Sequence, residues 1–273
     1  MNISQYHTVL YDTIPLDDPD YNKSSWFQQL IDSFQPGDTF SAISQCAKND
    51  FQRHIPSLRN AKINIMPLAA SEDFYQDLSI SQNEAIRKKY NIPQGKKYFL
   101  HLSYMDLRKN VMGMLRSFAE FLKQTDADDM IFVLAGKSGP KVVQENREEL
   151  DKLQISDKVI AIGFVDDGDL ASLYSHALAF VFMSSYEGFG LPVLEAMQCG
   201  TPVICSDNSS LPEVVGDAAI MLPWQDDAAV VDAMNKLYSQ RELVSELSAA
   251  GLKRSRLFSW KQAVNKLLEF IDI

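Results

Sequence analysis

From residue 98 onward the chain alternates short, nearly unbroken apolar runs with longer segments whose apolar residues recur every three or four positions. No other feature constrains the fold as strongly. The runs at residues 98–104, 130–136, 159–164, 177–183, 202–206 and 219–222 are rich in Val, Ile, Phe and Leu, as strands covered on both faces must be. Residues 110–123, 141–153, 167–174, 191–198 and 226–239 carry the helical spacing between them. Strands joined through helices lie parallel, so the pattern predicts an α/β protein built on a Rossmann-type, doubly wound parallel sheet.

The flanking regions read differently. Residues 241–273 are helical throughout, with Ser259 as an N-cap before Trp260 and an amphipathic run of Ala263, Val264, Leu267, Leu268 and Ile271. No strand follows, so this helix must dock elsewhere. Among the first 90 residues, 8–11 and 62–66 suit strands, while 24–33 and 44–54 suit helices, the second capped by Ser44. That inventory is short of a whole domain. The turn chemistry of Asn91-Ile92-Pro93-Gln94-Gly95 marks the boundary. The expected division is a partial N-terminal α/β domain over 1–92, a ligand-binding domain over 93–257, and a helix over 258–273 that packs back on the N-terminal part.

Charge and cysteine content narrow the function. Lys and Arg number 26 against 36 Asp and Glu, a net charge of −10, which argues against nucleic acid as a partner because such binding draws on neutralised phosphates. Cys46, Cys199 and Cys205 form no C-x-x-C pair, and His7, His54, His101 and His176 form no metal-ligand spacing, so no metal is expected and the thiols are read as reduced, in the cytoplasm. No apolar run approaches the roughly 18 residues that span a bilayer, and Met1-Asn2-Ile3-Ser4-Gln5 is unlike a signal peptide. The basic cluster Arg87, Lys88, Lys89, Lys96 and Lys97 reads as a solvated helix end and loop.

The most informative segment is Ser184-Ser185-Tyr186-Glu187-Gly188-Phe189-Gly190-Leu191-Pro192-Val193-Leu194-Glu195, which leaves a buried strand at its C-terminal end and enters a helix. Ligands of doubly wound sheets bind at that edge. Gly188 and Gly190 let the backbone approach a ligand, and the helix from Leu191 directs N–H groups and a positive dipole end at it, which suits phosphate. Pro192 fits the first helical turn. Glu187 and Glu195 can accept hydrogen bonds from the vicinal hydroxyls of a sugar and a ribose. Arg108-Lys109-Asn110 lies at the same sheet edge, where two cations can neutralise a diphosphate and stabilise it as it departs. Gly136-Lys137-Ser138-Gly139 lacks the full phosphate-loop spacing and reads as a strand-to-helix turn. Asp167-Gly168-Asp169 reads as an N-cap with a first-turn charge.

These residues, with Gly163-Phe164-Val165 and Gly200-Thr201-Pro202-Val203, resemble the donor half of a family-four glycosyltransferase of the GT-B fold. The likeness runs from near residue 60 to the end and continues more weakly in Tyr11-Asp12-Thr13-Ile14-Pro15-Leu16 and Ser41-Ala42-Ile43-Ser44, which are similar to the late part of an acceptor-side domain. Tyr11 departs from the histidine many members carry. The resemblance implies retaining transfer of a hexose from a GDP- or UDP-linked donor to a saccharide or lipid-linked acceptor, with no cofactor and no metal. A cytoplasmic protein is expected from the thiols, with peripheral contact at the inner membrane face among its partners. Carried over by position, Arg108 and Lys109 hold the diphosphate, Glu187 the donor sugar and Glu195 the ribose. Gly188, Phe189, Gly190 and Leu191 meet the phosphates and sugar through backbone amides, and Gly163, Phe164 and Val165 lie by the base. The shortened acceptor side leaves a second expectation, a nucleotide-sugar-binding fragment without turnover. An epimerase or phosphorylase of the same fold would need acids or a pyridoxal lysine that the sequence does not offer.

Overall fold

In the computed structural model, residues 6–14, 25–35 and 37–271 are described. Met1–Gln5, Pro15, Leu16, Ser24 and the last two residues, all touched on above, lie outside them. The described chain divides into two compact units, one holding residues up to Ala69 together with Glu187–Gly190 and the stretch from Phe258, the other holding Ala70–Tyr186 and Leu191–Leu257.

In the first unit, β1 (His7–Leu10), β2 (Thr39–Ala42) and β3 (Ile63–Ile65) form a parallel sheet in that order. Helices α1 (Ser25–Asp32) and α2 (Gln45–His54) connect the strands. Leu10, Phe40, Ala42, Phe51, Leu58 and Ile63 form its buried centre. Ser44 caps α2 as expected, its Oγ accepting from Ala47 N at 2.9 Å. Strand β2 is absent from the sequence reading because Thr-Phe-Ser-Ala carries neither a long apolar run nor a clean alternation.

The second unit opens with α3 (Ile80–Lys89), followed by β4 (Lys97–Leu102), α4 (Val111–Thr125), β5 (Met130–Ala135), α5 (Gly139–Glu145), α6 (Arg147–Leu153), β6 (Val159–Gly163), α7 (Asp167–Ser175), β7 (Ala179–Phe182), α8 (Leu191–Gln198), β8 (Val203–Ser206), α9 (Leu211–Val215), β9 (Ile220–Leu222), α10 (Asp227–Ser239) and α11 (Arg241–Ser255). Its six strands are all parallel in the order β6-β5-β4-β7-β8-β9, the doubly wound sheet that the alternation predicts. Phe99, Phe118, Phe121 and Phe132 pack beneath it fully buried, with Phe118 edge-on to Phe132 at 5.5 Å between ring centroids. Burial of each such ring contributes on the order of 2–3 kcal/mol.

Four local readings are corrected. The unit boundary falls at Ala69 rather than at Tyr90–Gly95, because α3 is tied to the second unit. Arg87 lies over the Tyr98 ring at 5.1 Å, and Lys89 pairs with Asp166 and Asp169 at 2.6 and 2.5 Å, so these two members of the basic cluster are engaged rather than merely solvated. The single helix expected over 141–153 breaks at Asn146, whose Nδ2 donates to Val142 O. The N-cap of α7 is Asp166, and Asp167 and Asp169 fall in its first turn.

The helix after α11, α12 (Trp260–Phe270), belongs to the first unit. Phe270 meets His7 edge-on at 6.2 Å and Lys62 at 5.2 Å, and Asn64 Nδ2 donates to Lys266 O at 3.1 Å. Ser259 caps it, accepting from Gln262 N. No described helix is long and apolar enough to cross a membrane.

Candidate functional site

Parallel strands end together, so the C-terminal edge of the six-stranded sheet collects the loops after β4, β5, β6, β7 and β8. After β4 the chain makes a short 3₁₀ turn, Leu107–Lys109, and enters α4 through Asn110 in the left-handed region at φ 51°. Asn110 forms no side-chain cap; its Nδ2 donates instead to Trp224 O at 2.8 Å.

This turn places the two cations. Arg108 donates from Nη1 to Tyr186 O at 2.7 Å and pairs with Asp106 at 3.2 Å. Its own carbonyl accepts from Ser185 N at 2.8 Å. Arg108 is therefore bound into the turn that precedes Glu187. Lys109 is buried, with Nζ 5.0 Å from the centre of the Phe182 ring. On Phe182 also stacks His101, at 5.7 Å and 25°. Burial, with the Lys109 charge acting in the same direction, lowers the His101 pKa to about 4, so the imidazole is neutral near pH 7. Its nitrogens lie 2.9 Å from Val181 O and 2.7 Å from Ser103 Oγ. His101 thus fills the layer under the lysine without adding charge.

On α8, Glu195 accepts from Tyr174 Oη at 3.1 Å. Burial pushes its pKa up to about 7, the Asp167 charge adds to the rise, and the tyrosine bond opposes it. Pro192 sits in the first turn of this helix, as expected. At the end of β6, Gly163 takes φ +70° and its carbonyl accepts from Gly136 N at 2.7 Å. Phe164 stands exposed while Val165 is buried. Gly136 begins a strand-to-helix turn, in which Ser138 Oγ accepts from Met105 N.

The segment Glu187–Gly190 groups with the first unit. Ser44 Oγ donates to Gly188 O at 2.8 Å. A Cβ added at Gly188 would come within 2.8 Å of Asp12 Cβ and 3.0 Å of Tyr11 O, so a side chain here would force its neighbours to shift. Phe189 is buried and meets Phe258 edge-on at 6.0 Å. Gly190, at φ +103°, turns the chain into Leu191 and α8. Glu187 is buried at 9% exposure.

Within the second unit, the structure therefore gathers Arg108 and Lys109 with the Ser184–Tyr186 turn, while Glu195 is placed against Tyr174 and Gly163–Val165 stand at the end of β6. The sequence reading missed the supporting roles of Tyr174 on α7, His101 on β4, Ser206 at the end of β8 and Asn208 in the loop after it. It also missed the second task of Ser44. No local spacing signals any of them.

The model of the family described as "Glycosyl transferases group 1" matches residues 82–254. The chain is 31% identical over 278 residues to the O-antigen chain mannosyltransferase B of Escherichia coli, covering 97% of this chain and 68% of that one. It is 29% identical over 269 residues to the serotype-specific mannosyltransferase WbdA of the same species, covering 96% of this chain and 32% of the relative, so it spans about a third of that protein's length. Among solved structures, Anabaena Alr3699/HepE, crystallised with UDP and glucose, superposes with a TM-score of 0.79 at 16% identity, over 98% of this chain and 71% of that one. That likeness concerns the fold alone, which is GT-B.

Proposed function

The chain belongs to the group 1 glycosyl transferases, and on that premise we propose that it moves a hexose from a nucleotide-diphosphate sugar to a saccharide or lipid-linked acceptor with retention of the anomeric configuration. The observation that carries this reading is the cationic turn Arg108–Lys109 at the C-terminal edge of a parallel sheet, in a chain whose net charge is −10. In such a background, a paired cation at a ligand-binding edge suits a local diphosphate.

In this reading Arg108 and Lys109 offset the charge that grows on the diphosphate as the bond to the anomeric carbon breaks. The acceptor oxygen bonds to the same face of that carbon, and its proton passes to the departing phosphate. Glu187 positions the donor sugar, and Glu195 accepts from the ribose. Gly188 to Leu191 offer main-chain N–H groups to the phosphates and sugar, and Gly163 to Val165 flank the base. No metal takes part in this scheme. The names of the two mannosyltransferase relatives support mannose as the hexose, with GDP or UDP as the nucleotide.

Calorimetry with UDP and GDP, followed by transfer assays with GDP-mannose and UDP-hexoses and NMR of the product linkage, tests it. Lys109→Ala should lower turnover by roughly a hundredfold or more, the usual scale for losing one group that stabilises developing charge, and Glu187→Ala by about a hundredfold through misplacement of the donor sugar. Full turnover in both variants would overturn the site assignment. Nucleotide binding without transfer would favour a binding fragment.

A further inference from the structure

Three successive main-chain oxygens of the turn before Glu187 are each held by a side chain from another segment. Ser206 Oγ donates to Ser184 O at 2.6 Å, Asn208 Nδ2 to Ser185 O at 2.7 Å, and Arg108 Nη1 to Tyr186 O at 2.7 Å. All six residues lie in the second unit. A peptide group is planar, so fixing its carbonyl also fixes the N–H of the next residue on the opposite side. Asn208 thereby sets the direction of the Tyr186 N–H, and Arg108 that of the Glu187 N–H.

Asn208 differs from the other two holders. Ser206 is fully buried at the end of β8, where its hydroxyl needs a partner whatever the turn does, and Arg108 also pairs with Asp106. The carbonyl Oδ1 of Asn208 is buried and has no hydrogen-bond partner among the described residues, where the bond to Ser185 O is the polar contact this amide makes. Turning the amide over would set two oxygens against each other, which fixes the assignment. A buried acceptor left without a bond is a cost, and it is retained here with a single polar contact to show for it.

We infer that Asn208 is a positioning residue: from the loop after β8 it orients the Ser184–Tyr186 turn that delivers Glu187 to the donor. The part concerning the donor rests on the transferase reading above; the part concerning the turn does not.

The test uses the full chain with Asn208→Ala and Asn208→Asp. Amide hydrogen exchange should quicken by roughly tenfold at Ser185 and Tyr186 in Asn208→Ala, the scale of one lost hydrogen bond, while amides of β4 and β5 keep their rates. In transfer assays kcat should fall by about the same factor with the donor KM nearly unchanged, because the group acts on geometry rather than on binding. Asn208→Asp should lose more at pH 8, where a carboxylate opposes Ser185 O. It should recover toward the parent as the pH falls and the protonated acid can donate. Exchange at Ser185 and Tyr186 equal to the parent in both variants would overturn the inference, and so would losses that merely follow a lowered Tm. If the parent transfers no sugar, the transferase reading fails while the exchange result still decides the role of Asn208 in the turn.

Discussion

The guanidinium of Arg108 and the main-chain oxygen of Tyr186 are 2.7 Å apart, 78 residues distant in sequence. The side chain that sequence reasoning assigns to phosphate charge is thus also a brace for the neighbouring loop. Lysine keeps the charge but lacks the planar fork that reaches Tyr186 and Asp106 together. Arg108→Lys should therefore lower kcat/KM almost as far as Arg108→Ala, by roughly ten- to a hundredfold, the range of a charge-assisted hydrogen bond. Steady-state kinetics of the two variants checks this; near-complete recovery in Arg108→Lys would mean that charge alone matters.

Glu195 provides a pH-dependent prediction. Its folded-state pKa is raised from 4.5 to about 7, so the folded protein binds the extra proton between those values. Its contribution to stability is greatest below pH 4.5, falls as the pH rises, and is fully lost above about 7. Glu195→Gln keeps an acceptor for Tyr174 without the buried charge, and should gain on the parent across that window by up to about 3 kcal/mol. Denaturant titrations at pH 5 and 8 measure the difference.

The same group bears on ligand affinity. A carboxylate accepts from two ribose hydroxyls more strongly than a protonated acid does. Nucleotide affinity of the parent should rise between pH 6 and 8 as Glu195 ionises, and the rise should be absent in Glu195→Gln. Calorimetry across that range follows it. A parallel rise in the variant would assign the pH dependence to another group.

Ser44 joins two jobs, capping α2 and holding Gly188 O. Loss of a cap alone costs about 1 kcal/mol, and a freed buried carbonyl adds about 1–3 kcal/mol. Ser44→Ala should lower stability by the sum, about 2–4 kcal/mol. Gly188→Ala should cost about 1–3 kcal/mol by overpacking against Asp12 and Tyr11. Denaturant midpoints measure both, and a neutral Gly188→Ala would contradict the packing described.

Much of the sheet was legible because burial on both faces leaves almost uninterrupted apolar runs, as in Met-Ile-Phe-Val-Leu-Ala of β5. Helix α3 was not, since only Ile86 and Arg87 of its ten residues are buried and the apolar stripe that marks a helix is missing. Helix α9 is five residues long, too short to show a period. At the site, the glycines and charges were visible because the chemistry they suit is encoded in adjacent residues. Their supports were not: Tyr174 reaches Glu195 across 21 residues, Asn208 reaches Ser185 across 23, and Ser44 reaches Gly188 across 144. Such pairings exist only once strands are ordered.

The first unit is stitched from three stretches of chain, with Glu187–Gly190 and the residues from Phe258 added to the N-terminal part. During synthesis β1, β2 and β3 leave the ribosome before the six-stranded sheet does, whereas Phe270, which packs on His7 and Lys62, leaves after it. The first unit therefore closes only after the whole sequence of the second has been translated. A chain shortened before residue 258 would carry every residue of the second unit and leave the first without the helix that packs on His7 and Lys62.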